Sequence, residues 1–376
     1  MMQWLKTKRT ELISRLPTIL DLLEFFADGE IRHEEKLSGS IFQCLKPGFN
    51  QDGLFEIVSN YPDGTDKIIP LSIMNDYYRG ESEPHFPSYP SIYRSGMTEN
   101  DILIERVKAC ELELLIETYP LFKVFKGGIS YQFKNNSTQI FNLSVDSEAL
   151  AQHYGIKTDL LDLTVDKFVA AFFATTVYRN GKYIPVDPSK DDMPKYGVFY
   201  DYMLVEMSLE TKHIDPKLRV VGFQPFSRPG EQRGYVLRIK QGEDFHRICR
   251  KRCYKFRHDA KVSELIYNYT NRSNKLFPKS ILEEKTDKIR TSKTFSRAAL
   301  AKTKERYYPN LNVNELEKVL RQADIAVSEN QPVQFSEAEK KVELKKWQER
   351  GFEEFKKVVI VRTTFTGDAM GVNSNK

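Results

Sequence analysis

Residues 149–164 have the sequence ALAQHYGIKTDLLDLT, which is more informative about fold and function than any other stretch of the chain. Its amide, imidazole, phenol, hydroxyl and carboxyl groups lie among apolar residues, and the apolar run 168–174 follows. Polar side chains in such surroundings are at least partly buried and must find hydrogen-bond partners. We therefore take this segment as the first candidate for a binding or catalytic cleft, with Gln152, His153, Tyr154 and Thr164 as its polar side chains.

His153 allows two interpretations. A histidine titrates near neutral pH and can act as a general acid or base. A lone histidine can equally be a buried group whose two ring nitrogens bond to its neighbours. Gln152 and Tyr154 transfer no proton easily at neutral pH, but both can orient a flat ligand.

Upstream of this segment, Tyr78-Arg79-Gly80 is expected at the end of a strand. An arginine placed there offers a planar fork of donors to a phosphate or a carboxylate. The alternative is a structural ion pair with a nearby acid, such as Glu81, Glu83 or Glu111.

Downstream, residues 223–235 contain two prolines and two glycines, and Glu231 and Gln232 come just before an expected strand. A carboxylate in this place can stabilise positive charge that develops on a sugar carbon, as in glycoside cleavage. The alternative is a solvent-exposed hairpin loop.

The order of these motifs resembles the FRG domain family, with Tyr78 in the first position of its Phe-Arg-Gly motif. The resemblance covers roughly residues 15–290, and Asp159 stands where the family usually has arginine. The matching segments, in chain order, are Tyr77-Tyr78-Arg79-Gly80-Glu81, Pro90-Ser91-Ile92-Tyr93-Arg94, the helix with Glu111, Gln152-His153-Tyr154-Gly155, Thr158 to Thr164, Phe172-Phe173-Ala174, Arg228 with Gln232 and Gly234, and Leu276-Phe277-Pro278.

The resemblance implies an α+β protein with an ADP-ribosyltransferase-like split β-sheet, flanking helices and NAD as substrate. It implies a bacterial toxin or phage-defence effector, with RNA, DNA or protein as acceptor and an antitoxin or regulatory partner. The alternative function is a non-catalytic ligand-sensing or nucleic-acid-binding module. By position it assigns catalysis to Glu231, Gln232 and His153, and NAD binding to Tyr78, Arg79, Gly80, Gln152, Tyr154, Thr164 and Arg228.

Composition predicts a soluble cytoplasmic protein. The 376 residues can bury a substantial core, and the chain contains no long apolar run and no signal-peptide core. Four cysteines make no disulfide framework, which favours a reducing compartment. The row His246, Cys249, Cys253, His258 has spacings unlike ordinary zinc signatures, so no metal is expected. We predict an FRG-type domain at 15–290 and a C-terminal helical extension at 291–376.

Positive charge is concentrated in one region. Residues 245–294 contain 14 basic and 5 acidic residues, whereas the whole chain has a net charge of +5. Interleaved aromatic residues could stack on bases while the basic ones contact phosphates. Arg250, Lys251, Arg252 and Lys255 are the candidate nucleic-acid contacts, and the alternative is an ordinary solvated face.

Periodicity and capping signals predict the local structure. The pairs Thr98/Asp101 and Ser336/Glu339 form capping boxes, and Pro62-Asp63-Gly64 is a turn between two strands. The predicted helices are 18–26, one that follows Thr98, 166–178 and one from Ser336 to about 357. The predicted strands are 53–60, 66–73, 196–207, 234–240 and 358–361.

Overall fold

The computed structural model describes residues 16–23, 55–59, 64–71, 76–132, 136–203, 218–248 and 251–361. Over these ranges the fold is α+β, as the sequence predicts. Its strands are β1 Phe55–Val58, β2 Lys67–Pro70, β3 Asp76–Glu81, β4 Ile129–Gln132, β5 Thr138–Phe141, β6 Leu160–Thr164, β7 Thr176–Arg179, β8 Lys182–Pro185, β9 Tyr196–Met203, β10 Leu218–Val220, β11 Gly234–Arg238, β12 Lys251–Arg257, β13 Thr294–Ser296, β14 Ala326–Ser328 and β15 Val359–Val361.

The helices lie mostly between these strands. Residues 19–23 are also helical, within the predicted helix 18–26, whose residues 24–26 lie outside the described ranges. The others are α1 Glu99–Glu117, α2 Pro120–Gly127, α3 Ser147–His153, α4 Lys167–Thr175, α5 Arg228–Glu231, α6 Phe245–Ile248, α7 Ala260–Tyr269, α8 Ile281–Thr291, α9 Arg297–Tyr307, α10 Val313–Gln322, α11 Glu337–Lys346 and α12 Phe352–Val358, with a 3-10 helix at Ser91–Tyr93 and a π-helical turn at Trp347–Gly351.

The largest sheet has six strands in the order β10-β11-β6-β3-β9-β12, and all its neighbours are antiparallel. Strands β3 and β9 are paired at six positions, but β3 and β6 are paired at one, Tyr78 with Thr164. The sheet is therefore most weakly connected at its centre, between β3 and β6.

Helix α4 packs on β3 over a glycine. Asp166 caps this helix by accepting hydrogen bonds from the backbone N–H groups of Phe168 and Val169. A Cβ at Gly80 would lie 1.9 Å from the carbonyl oxygen of Ala170, so only glycine allows this approach. The helix ends at Thr175, not at 178 as predicted, because the β-branched Thr176 and Val177 begin β7.

The local signals near both ends of the chain are confirmed. Thr98 and Ser336 both form complete capping boxes, at α1 and α11. Strands β1 and β2 pair as an antiparallel hairpin, while the predicted Pro62-Asp63 part of its turn lies outside the described residues. None of the helices in the described ranges combines the length and apolar composition that a membrane span requires.

The C-terminal region shares a core with helix α1. Leu103 and Val107 of α1 are buried in one cluster with Phe295, Leu300 and residues of α10. Strand β15 also pairs in parallel with β1. The described residues beyond 290 are therefore packed against the preceding part of the chain, and the domain boundary placed there stays a prediction.

Candidate functional site

A cavity of about 310 Å³ opens where β3 and β6 share their single pair. Its walls come from these two strands, α4, the end of α3 and the residue that follows α5. Six of the predicted site residues line it: Tyr78, Arg79, Gly80, His153, Thr164 and Gln232. The structure thus brings together side chains from three distant parts of the chain.

Arg79 joins the two strands beside the cavity. Its Nη1 donates a hydrogen bond to the backbone oxygen of Asp162, at 2.9 Å, and its Nε donates to Oε1 of Glu81, at 3.1 Å. Its side chain is 13% exposed. Nη2 makes no hydrogen bond to a described residue, so this nitrogen remains for a ligand.

Glu81 is the buried partner of Arg79, which is the ion pair that the sequence offered as an alternative. Its carboxylate also accepts hydrogen bonds from the hydroxyls of Ser88 and Tyr200, both at 3.2 Å. Burial alone would raise the pKa of Glu81, but the charge and hydrogen bond of Arg79, together with smaller contributions from His85 and Ser88, hold the pKa below its usual value. Glu81 is therefore ionised at neutral pH.

A chain of hydrogen bonds fixes the imidazole of His153. The amide nitrogen of Gln232 donates to the backbone oxygen of Leu276, at 3.0 Å, so its Oε1 faces Nδ1 of His153, at 2.9 Å. Since Oε1 can only accept, Nδ1 carries the proton. Burial lowers the pKa of His153, although the charge of Asp162 opposes this shift. His153 is thus neutral, with an unprotonated Nε2.

Nε2 of His153 faces the carboxylate of Asp162 across the cavity wall. The distance from Nε2 to Oδ1 is 3.9 Å, and neither atom has a hydrogen-bond partner within the described ranges. The His153 side chain is 2% exposed and that of Asp162 is 38% exposed. Gly234 leaves room for the ring, because a Cβ there would lie 3.0 Å from Nε2.

Thr164, Tyr78 and Gly80 line the cavity while serving the fold. The Thr164 hydroxyl donates to the backbone oxygen of Gln232, at 2.7 Å, and accepts from the N–H of Asp166, at 3.0 Å. The Tyr78 ring is buried and packs on Phe199.

The opposite wall is aromatic. Phe173 and Tyr183 line the cavity, and the Tyr183 ring stacks on Phe277 with centroids 4.7 Å apart. Arg94 and His85 also line the cavity, on its polar side. Sequence analysis did not select Tyr183 or Asp162 as site residues. Asp162 had a signal, since it lies in the polar segment 149–164, whereas Tyr183 lies on β8, for which the sequence predicted no strand.

Three predicted ligand-binding residues lie behind the cavity. Gln152 donates to Oδ2 of Asp162, at 3.0 Å, and accepts from the Thr158 hydroxyl, at 2.7 Å. Arg228 lies over the Tyr154 ring, 4.2 Å from its centroid, and donates to the backbone oxygen of His153. These residues support cavity groups and do not line the cavity themselves.

Glu231 lies apart from the other two predicted catalytic residues, His153 and Gln232. It lines a second cavity, of about 540 Å³, together with Lys275, and it is absent from the lining of the first. Consecutive residues project about 100° apart around a helical turn. Because Glu231 ends α5 and Gln232 follows it, the two side chains point into different cavities.

Two acidic residues from the sequence motifs, Asp159 and Glu111, stabilise contacts between elements of the fold. Asp159 pairs with Arg238, through oxygens 2.6 and 2.7 Å from Nη1. Glu111 is fully buried and accepts hydrogen bonds from the backbone N–H and hydroxyl of Ser296, at 2.7 and 2.8 Å. Glu111 therefore ties α1 to the C-terminal region and forms no ion pair with Arg79.

The predicted nucleic-acid contacts lie on β12, an edge strand of the large sheet. Arg250 is outside the described residues, and Lys251 begins the strand. Arg252 and Lys255 are exposed, but side chains three positions apart on a strand point to opposite faces. These two side chains therefore form no shared patch on one face of the sheet.

Loop residues after β3 are held by a second histidine. Nε2 of His258 donates to the backbone oxygen of Ser82, a cavity residue, at 2.8 Å. Burial lowers the pKa of His258 from 6.5 to about 4.

This shift predicts an acid-sensitive stability. Between the two pKa values the unfolded chain binds a proton that the folded chain does not. The free energy of unfolding should thus fall as the pH decreases from 6.5 to about 4, by up to about 3 kcal/mol. Urea denaturation across this range would measure it. His258→Gln keeps an N–H donor without titrating, so its stability should depend less on pH, and equal slopes in both proteins would contradict the assignment.

Comparison with known proteins identifies part of the chain. The FRG domain model matches residues 74–182, which include Arg79, His153 and Asp162 but not Gln232. No curated protein and no solved structure matches the chain. The family resemblance seen in the sequence is thereby confirmed for the matched range, and residues 74–182 are an FRG domain.

Proposed function

We propose that the cavity binds NAD and that the protein transfers ADP-ribose from NAD to a macromolecule, either RNA, DNA or protein. The proposed setting is a toxin or phage-defence effector that an antitoxin or other partner regulates. The convergence of Arg79, His153 and Gln232 on one cavity supports this best. The opening between β3 and β6 is also where the split sheet implied by the FRG resemblance would grip a dinucleotide.

The cavity offers fitting groups for two parts of NAD, the pyrophosphate and a flat ring. Arg79 and Arg94 supply positive charge for the pyrophosphate, and arginine forks suit phosphate oxygens. Phe173 and Tyr183 offer aromatic surfaces for a flat ring. Because Glu81 accepts from Nε of Arg79 and the backbone oxygen of Asp162 accepts from Nη1, a phosphate can bind Nη2 without breaking the ion pair.

In the proposed transfer, the bond between the nicotinamide nitrogen and the ribose carbon breaks, and nicotinamide leaves with the electron pair. An acceptor oxygen or nitrogen bonds to that carbon and loses its proton. Positive charge on the ribose is stabilised by a nearby carboxylate. Glu81 and Asp162 are the carboxylates that line the cavity within the described ranges, so we assign them the role that the sequence gave to Glu231.

The test is release of nicotinamide by the purified full chain, with RNA, DNA and protein supplied in turn and the ADP-ribose adduct detected by mass spectrometry. Glu81→Gln and Asp162→Asn should each slow release by about 10²- to 10³-fold. Glu231→Gln should release nicotinamide as the unchanged protein does. Loss of activity in Glu231→Gln alone would move the site to the second cavity. NAD binding without release would favour the non-catalytic, ligand-sensing alternative.

A further inference from the structure

Two hydrogen-bond acceptors face each other at the floor of the cavity. Nε2 of His153 and Oδ1 of Asp162 are 3.9 Å apart, and both atoms are buried from solvent without a hydrogen-bond partner in the described part of the chain. Buried polar atoms normally have partners, and leaving them without one is costly. A pair like this therefore indicates that something else supplies the hydrogens.

The neighbouring hydrogen bonds prevent His153 and Asp162 from supplying a hydrogen to each other. The proton of His153 sits on Nδ1, because Gln232 is fixed by the backbone oxygen of Leu276 and presents its own oxygen. Asp162 is fixed from behind, because Gln152 donates to its Oδ2. A protonated His153 would pair with Asp162, but burial disfavours that form. Both Nε2 and Oδ1 thus present lone pairs to the cavity.

One donor group with two hydrogens satisfies both atoms. A primary amide nitrogen carries two N–H bonds spread by about 120°, and each can reach one acceptor. The same cavity is lined by Phe173 and Tyr183, and Tyr183 is held against Phe277. Aromatic faces beside two acceptors match a flat ring that bears an amide.

We infer that His153 and Asp162 together recognise the carboxamide NH₂ of the nicotinamide ring and so select NAD over dinucleotides that lack this group. The inference rests on the proposed function, since it assigns one end of the NAD bound there. Gln152 becomes a positioning residue that aims the carboxylate. With Asp162 at the carboxamide, Glu81 is left to stabilise the charge on the ribose.

Three dinucleotides that differ only at this group provide the test. NAD carries the amide, its 3-acetylpyridine analogue carries a methyl ketone of similar shape, and its nicotinic acid analogue carries a carboxylate. Affinities can be measured by stopped-flow fluorescence before turnover. NAD should bind at least about tenfold more tightly than the methyl ketone, because two acceptors then lose their donor. The carboxylate should bind more weakly still, since Asp162 repels it.

Variants separate recognition from folding. In Asp162→Asn, the amide nitrogen of Gln152 still requires an acceptor, so the oxygen of the new asparagine faces Gln152 and its NH₂ faces the cavity. The preference for NAD over the nicotinic acid analogue should therefore fall at least about tenfold. Asp191→Asn, on an exposed loop, is the matched control and should keep the wild-type preference. Equal affinity for all three dinucleotides would overturn the inference and leave NAD binding intact. Failure of all three to bind would instead overturn the proposed function.

Discussion

Arg79→Ala is expected to weaken NAD binding by about 10- to 150-fold and to lower the free energy of unfolding by about 3–5 kcal/mol. The stability loss follows because Glu81, whose side chain is 4% exposed, would keep a buried charge without its partner. The binding loss follows because a charge-assisted bond to phosphate contributes about 1.5–3 kcal/mol. Chemical denaturation and isothermal calorimetry would measure the two effects separately.

A double variant separates these two roles of Arg79. Arg79→Ala combined with Glu81→Gln removes both charges, and the new amide can still accept hydrogen bonds from Ser88 and Tyr200. Stability should return most of the way to the wild-type value, whereas NAD binding should remain as weak as in Arg79→Ala. Wild-type affinity in the double variant would show that Arg79 serves only the fold.

Gly80→Ala is expected to destabilise the fold by at least about 3 kcal/mol, and the protein should largely fail to accumulate in folded form. The new Cβ would lie 1.9 Å from the backbone oxygen of Ala170 and 2.7 Å from the Cβ of Ala174. Backbone atoms of a helix cannot move aside cheaply, so α4 would have to lift from β3. Thermal unfolding followed by circular dichroism would measure the loss.

Gly127→Ala is the control for this change. Gly127 ends α2, and a Cβ there would meet nothing within 4 Å. Its melting temperature should stay the same or rise slightly, since alanine favours a helix. If Gly80→Ala melted like Gly127→Ala, the close packing of α4 on β3 would be refuted.

The features predicted from the sequence are those set by short-range chemistry. The capping boxes at Thr98 and Ser336 bind backbone groups within one helical turn, so their residues alone determine them. The polar segment 149–164 likewise indicated buried side chains, and His153 is among them. The family resemblance predicted that Arg79, His153 and Gln232 lie at one site. Hydrophobic periodicity could not predict this, because it reports local structure and not which distant residues meet in the fold.

The sequence alone could not predict side-chain direction or the packing between separate segments. Glu231 and Gln232 are neighbours in sequence, and only the rotation of α5 decides which of them reaches the first cavity. Arg252 and Lys255 form one basic cluster in sequence but lie on opposite faces of a strand. The His153–Asp162 pair depends on how the end of α3 packs against β6. No local pattern encodes these relations.

The strand order of the large sheet determines which residues a fragment must contain if this FRG domain is to be expressed alone or exchanged between proteins. The matched range 74–182 supplies β3 and β6, whereas their partners β9 and β11 come from residues 196–203 and 234–238. Excised alone, it would carry two strands of the large sheet joined at one position, with long unpaired edges that invite aggregation. Domain swaps and expression of isolated fragments should therefore use boundaries that include β12, because the family signature is shorter than the unit that folds.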